Sequence, residues 1–163
     1  MSQPSKPTVL IVGATSGIAR ALAAVYAERG ASLVLAGRDE QALEDDAADL
    51  RVRYEAEVQT RLFDALDPDS GAALLDRLVV DTAVLCHGVM LDNEQAREDP
   101  AAHRRMIDIN YSSHALLLEQ LADHMQGNDG GVIAVLSSVA GDRGRGSNYC
   151  YGATKAALTA YAD

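Results

Sequence analysis

Tyr151 and Lys155 stand four residues apart near the end of the chain. On a helix, that spacing puts both side chains on one face. An ammonium close to a phenol favours the phenolate, so the pair can handle a proton near neutral pH, where an isolated tyrosine cannot. Ser137 and Ser138 lie upstream, and Asn110 sits further back in a stretch of helical periodicity. Asparagine is a mediocre helix residue, which makes Asn110 worth noting. A second group of residues suits phosphate. Gly13-Ala14-Thr15-Ser16-Gly17-Ile18-Ala19 follows an apolar run directly. Its glycines let the backbone turn tightly and approach a pyrophosphate, and the helix that follows directs free N–H groups and its positive end there. Thr15 and Ser16 add hydroxyl donors. Further on, Gly37 leaves room beside Arg38. That guanidinium either forks onto a phosphate or pairs with an acid of the next helix, which Asp39 is placed to cap.

These residues need elements to hold them. Thr8 to Val12 reads as a buried strand and Gly17 to Arg29 as a helix stopping at Gly30. Ser32 to Ala36 is a second strand, and Glu40 to about Arg53 an acidic helix. Val58 to Phe63 is a third strand, Asp69 to Arg77 a short helix, and Val79 to Cys86 contains a fourth strand. Ala101 to about Met125 reads as one long helix, with Met106, Ile109, Leu116, Leu117 and Leu121 on its apolar side. Gly131 to Leu136 is a fifth strand, and a last helix begins near Tyr151. Such alternation predicts a single α/β domain over residues 1–163: a doubly wound parallel sheet, Rossmann-like, in three layers. Ligands then bind at the carboxyl ends of the strands.

Composition narrows the partners. A formal charge of -10 disfavours nucleic acid and anionic membrane surfaces. Cys86 and Cys150 match neither a zinc motif nor a disulfide framework, so two reduced thiols and no metal are expected. The start, Met1 to Pro7, is polar and lacks an apolar signal core, and no stretch approaches a transmembrane span. The expectation is a cytoplasmic protein.

The Gly-x-x-x-Gly-x-Ala turn and the later Ser138…Tyr151-x-x-x-Lys155 order resemble the short-chain dehydrogenase/reductase family, over Thr8 to Asp163. Strand alternation sends Ser137 and Ser138 to opposite faces, and the family's Ser-to-Tyr spacing selects Ser138. The resemblance implies hydride transfer between a nicotinamide dinucleotide and a small-molecule carbonyl/alcohol substrate. Ser138 then hydrogen-bonds the substrate oxygen, Tyr151 donates or removes its proton, and Lys155 tunes Tyr151 and holds the nicotinamide ribose. Asn110 serves a proton relay to Lys155. Gly13, Thr15, Ser16, Gly17, Ile18, Arg38, Asp64, Ala65 and Gly88 join Tyr151 and Lys155 around the cofactor. NADP(H) is favoured by Gly37-Arg38, with NAD(H) the alternative. Asp64 meets the adenine amino group or merely caps a turn. Cys86-His87-Gly88 stands where the family shows Asn-Ala-Gly, and His87 is expected to be an ordinary loop histidine. Ala19 replaces the turn's last glycine. The polar stretch Asp142 to Asn148 lies beside the substrate or is simply solvated. By the same analogy the chain forms a homodimer or homotetramer. It stops short of the family's last two strands and substrate loop, leaving the fifth strand as an exposed edge.

Overall fold

The computed structural model describes residues 6–128 and 130–163, so residues 1–5 of the polar start lie outside the described residues. Five strands, β1 (Thr8–Val12), β2 (Ser32–Gly37), β3 (Val58–Leu62), β4 (Thr82–Leu85) and β5 (Val132–Val135), form one parallel sheet in the order β3-β2-β1-β4-β5. The described residues also form seven α-helices: α1 (Gly17–Glu28), α2 (Glu40–Tyr54), α3 (Ser70–Leu75), α4 (Asn93–Glu98), α5 (Pro100–Ile107), α6 (Ser113–Gln126) and α7 (Tyr149–Ala162). The fold is therefore the three-layer, doubly wound sheet that strand–helix alternation predicts.

Period-two alternation in β1 divides the core. Val9 and Ile11 turn to one face, where the buried residues of α1 are Ala19, Ala23 and Ala27 and those of α2 are Leu43, Ala47 and Leu50. Leu10 and Val12 turn to the other, against Leu74 of α3 and Leu117, Leu121 and Met125 of α6. The alanines let α1 lie close over the sheet, which brings its first turn near the end of β1. A smaller cluster, Ala96, Met106 and Cys150, ties α4 and α5 to α7.

The long helix expected over Ala101 to Met125 is interrupted. Between α5 and α6, Asp108–Ser112 forms a π-turn in which the Ser113 N–H bonds the Asp108 carbonyl, five residues back. Such a turn inserts a residue without breaking the helix, so apolar spacing conceals it. Helix α4 was not expected either, having one buried residue, Ala96. Helix α7 begins at Tyr149 rather than Tyr151. β5 pairs only with β4, and Val132 on this edge is 60% exposed.

Candidate active site

β1 and β4 are neighbours whose chains leave the sheet to opposite faces, which opens a crevice between their carboxyl ends. There the loops after β1, β2, β3 and β4 surround a cleft of about 210 Å³. It is lined by Gly13, Thr15, Ser16, Gly37, Arg38, Phe63, Asp64, Ala65, Cys86, His87, Gly88, Val89 and Ile109. Gly17 and Ile18 stand beside it at the start of α1.

The floor depends on Gly13. Its φ is +79°, and a Cβ there would meet the His87 backbone at 2.6 Å. Only glycine lets the β1 and β4 loops approach so closely. Gly17 differs: a Cβ built on it would meet nothing within 4 Å. Packing does not require that glycine, and open space lies over the N-terminus of α1. Ser16 caps this helix, its Oγ accepting from the Ala19 N–H at 3.3 Å, so its own hydroxyl proton points elsewhere. The first turn of α1 carries no acidic side chain, and its positive end is not neutralised. These features fit a dinucleotide pyrophosphate.

Asp39 caps α2 through an acceptance from the Ala42 N–H at 3.0 Å. Arg38 makes no ion pair among the described residues, although Asp39, Glu40 and Glu44 line the hollow beside it. Bonds from Thr60 and Arg51 hold the Glu44 carboxyl below its usual range, so it stays anionic. Asp64 Oδ1 accepts from the Leu66 N–H at 3.0 Å, the turn-capping role, and the residue lines the cleft.

The other half of the site hangs on α7. Gly152 lies directly against the Ala140 carbonyl, and a Cβ on Gly141 would meet the Ala156 nitrogen at 2.8 Å. The short 3-10 turn Val139–Gly141, with Ser138 at its N-terminus, therefore packs backbone to backbone on α7. Ser138 Oγ accepts from the Ala140 N–H at 3.1 Å. Ser137 turns away, its hydroxyl 2.5 Å from that of Thr159.

Lys155 is 3% exposed and donates to the Leu136 carbonyl at 2.7 Å, and its Nζ is 5.9 Å from the centre of the Tyr151 ring. Burial pushes the Lys155 pKa down, with the Cys86 thiol opposing. Asn110, fully buried in the π-turn, accepts from the Val89 N–H at 2.8 Å and donates to the Val89 carbonyl at 2.7 Å. Its amide also reaches Thr154 of α7 at 3.3 Å. A Cβ on Gly88 would lie 3.2 Å from Asn110 Oδ1 and 3.8 Å from Lys155 Nζ, so the glycine is where the two halves meet.

His87 is not an ordinary loop histidine. Its ring stacks on His114 of α6, with centroids 3.7 Å apart, and meets the edge of Phe63. His114 drew no attention in the sequence, because only the fold brings α6 under the end of β4. Phe63, Val89 and Ile109 of the lining were also missed; each is an apolar residue with no chemical mark. Among the described residues, no group of three or more His, Cys, Asp or Glu is placed to hold a metal ion, and no helix is long and apolar enough to cross a membrane. Both cysteines are free thiols, Cys150 buried and Cys86 half-buried.

Known proteins share this sequence pattern and fold. The short chain dehydrogenase family model matches residues 7–163. An uncharacterized oxidoreductase of Mycobacterium tuberculosis is 38% identical over 99% of this chain and 67% of its own length. A cis-4-hydroxycyclohexanecarboxylate dehydrogenase of Sinomonas cyclohexanicum is 35% identical over 91% of this chain and 61% of its own. Among solved structures, a short-chain dehydrogenase from Sphingobium yanoikuyae in complex with NADPH superposes with a TM-score of 0.85 at 30% identity, over 93% of this chain and 61% of that one. A 3-oxoacyl-[acyl-carrier protein] reductase from Brucella melitensis with bound NAD gives 0.86 at 27% identity, over 96% and 63%. The chain thus spans roughly three fifths to two thirds of the relatives it matches. With a matching family model along nearly its whole length and the glycine turn, cleft and α7 pair in one arrangement, this chain belongs to the short-chain dehydrogenase/reductase family.

Proposed function

We propose that this chain forms the dinucleotide and catalytic part of an oxidoreductase that interconverts a carbonyl and an alcohol. The observation that carries this reading is Lys155, buried at the junction of cleft and catalytic helix, on one face of α7 with Tyr151. A bound nicotinamide dinucleotide supplies or accepts the hydride. Gly13, Thr15, Ser16, Gly17 and Ile18 hold its pyrophosphate end, and Asp64 and Ala65 its adenine side. Gly88 admits the chain of the cofactor beside Lys155. Ser138 donates a hydrogen bond to the substrate oxygen. Tyr151 gives that oxygen a proton in reduction and takes it back in oxidation. The Lys155 ammonium stabilises charge developing on the Tyr151 oxygen and holds the ribose hydroxyls, and Asn110 stands behind it at Gly88.

NADP(H) is favoured over NAD(H). Arg38 has no ion-pair partner among the described residues, and Gly37 leaves room for a 2′-phosphate. We place the protein in the cytoplasm as a homodimer or homotetramer on family analogy. The assignment is tested by purified protein and a panel of aldehydes, ketones and hydroxy acids. NADPH-dependent turnover that falls at least about a hundredfold in Tyr151→Phe supports it. A second reading, a dinucleotide-binding module without turnover, draws on Cys86-His87 in place of the family's Asn-Ala. Saturable NADPH binding with no turnover on any substrate would decide for it.

A further inference from the structure

His87 and His114 are buried in a way that determines their protons. The Ser113 hydroxyl lies 2.7 Å from the Ile109 carbonyl and must give its single hydrogen to that oxygen. It can then only accept from His87, whose Nε2 is 2.9 Å away and so carries the hydrogen. His114 Nδ1, 3.3 Å from the same carbonyl, carries a hydrogen for the same reason. Both rings are neutral, and burial pushes both pKa values down, that of His114 to about 4. The remaining nitrogens, His87 Nδ1 and His114 Nε2, are buried with no partner among the described residues. Two apolar side chains would fill this space without stranding two lone pairs, so filling space does not account for the pair.

The Ile109 carbonyl loses its α-helical donor to the π-turn. In an α-helix it would receive the Ser113 N–H, which here goes to Asp108. The Ser113 hydroxyl and the His114 ring take its place, and His87 holds Ser113 from the end of β4. From the same turn, Asn110 grips Val89. The loop from Cys86 to Val89 is thus tied to the π-turn at two points.

We propose that His87 is a positioning residue: through Ser113 and the Ile109 carbonyl it fixes the π-turn that presents Asn110, and with it the β4 loop that lies between the cleft and Lys155. Its consequence for turnover rests on the oxidoreductase reading; its consequence for the loop does not.

His87→Phe keeps a ring on His114 and removes the donor to Ser113. Amide exchange by NMR on the purified protein is expected to show the Val89 N–H exchanging at least about tenfold faster, with Leu10 and Val84 in the sheet unchanged. kcat should fall about tenfold or more while KM for NADPH moves less than about threefold. His87→Gln, which can still donate to Ser113, should recover part of both. If His87→Phe does not fold, Ser113→Ala removes the same link with a smaller change and takes the same readings. Unchanged Val89 exchange in a folded variant overturns the proposal, and so does full kcat with faster exchange. Faster Val89 exchange in a protein that turns over no carbonyl supports the tie and counts against the oxidoreductase reading instead.

Discussion

Asn110 pairs with Val89 as one strand residue pairs with another, accepting from its N–H at 2.8 Å and donating to its carbonyl at 2.7 Å. Asn110→Leu keeps the bulk and abandons both backbone groups. Each buried group left unpaired costs about 1–3 kcal/mol. We expect a loss of roughly 2–6 kcal/mol in the unfolding free energy, measured by chemical denaturation, together with most of the turnover. Asn110→Asp keeps an acceptor for Val89 but sets a carboxylate against its carbonyl. A loss under about 1 kcal/mol for the leucine variant would show that this pairing does not hold the loop.

Two glycines separate binding from stability. Gly17→Ala adds a methyl that meets nothing in the protein. Its Tm should hold or rise slightly, while NADPH affinity falls about tenfold or more where the methyl confronts the pyrophosphate. Gly152→Ala drives a methyl into the Ala140 carbonyl. Overpacking costs about 1–3 kcal/mol, and helix propensity returns at most about 1. The sign is therefore destabilising, read by thermal denaturation. Equal effects of the two variants on Tm would contradict this division.

The proposed preference for NADP(H) rests on Arg38. Loss of one charged phosphate contact costs about 1.5–3 kcal/mol. Arg38→Ala should weaken NADPH binding about ten- to hundredfold and change NADH binding by less than about threefold. Titration calorimetry with both cofactors measures it. Parallel losses for the two would remove the guanidinium from the 2′-phosphate.

The buried histidines make the fold sensitive to acid. The His114 pKa is lowered from 6.5 to about 4, mainly by burial, and that of His87 lies well below its ordinary value. Between the folded and unfolded pKa values the unfolded chain binds more protons, so stability falls as pH falls through that window. From about pH 7 to pH 5, His114 alone should remove about 2 kcal/mol. Urea midpoints at several pH values test this, and His114→Phe should flatten the acid limb. An unaltered slope in that variant would mean other groups set the acid limit.

Cys86 should be a slow thiol. Burial pushes its pKa up, with the Lys155 charge opposing, and it lines the cofactor cleft. At neutral pH, alkylation by iodoacetamide should run about tenfold or more below that of an exposed cysteine, and NADPH should slow it further. Mass spectrometry resolves Cys86 from the buried Cys150. Labelling indifferent to NADPH would place the cofactor away from Cys86.

Sequence patterns anticipated whatever depends on neighbours along the chain. The apolar runs, the Gly13–Gly17 turn, the Asp39 cap and the Tyr151–Lys155 face all follow from local spacing. The π-turn does not, since one inserted residue leaves Met106, Leu117 and Leu121 on an apolar side that an unbroken helix would also explain. The His87–His114 stack links residues 27 positions apart across two elements and leaves no mark in either segment. Arg38 had two readings on sequence, and the fold shows no ion pair for it among the described residues. Helix α4 is short and polar at every position but one, with a single buried alanine to announce it.

At Gly141 and Gly152 the turn after β5 and the catalytic helix meet as peptide against peptide. Immobilising a flexible side chain at a site costs about 0.5–1.5 kcal/mol, and a glycine has no rotamers to lose. The seating of the turn on α7 is therefore a property of main chain alone. A ligand arriving at that seam finds no side-chain rotamer between turn and helix left to freeze.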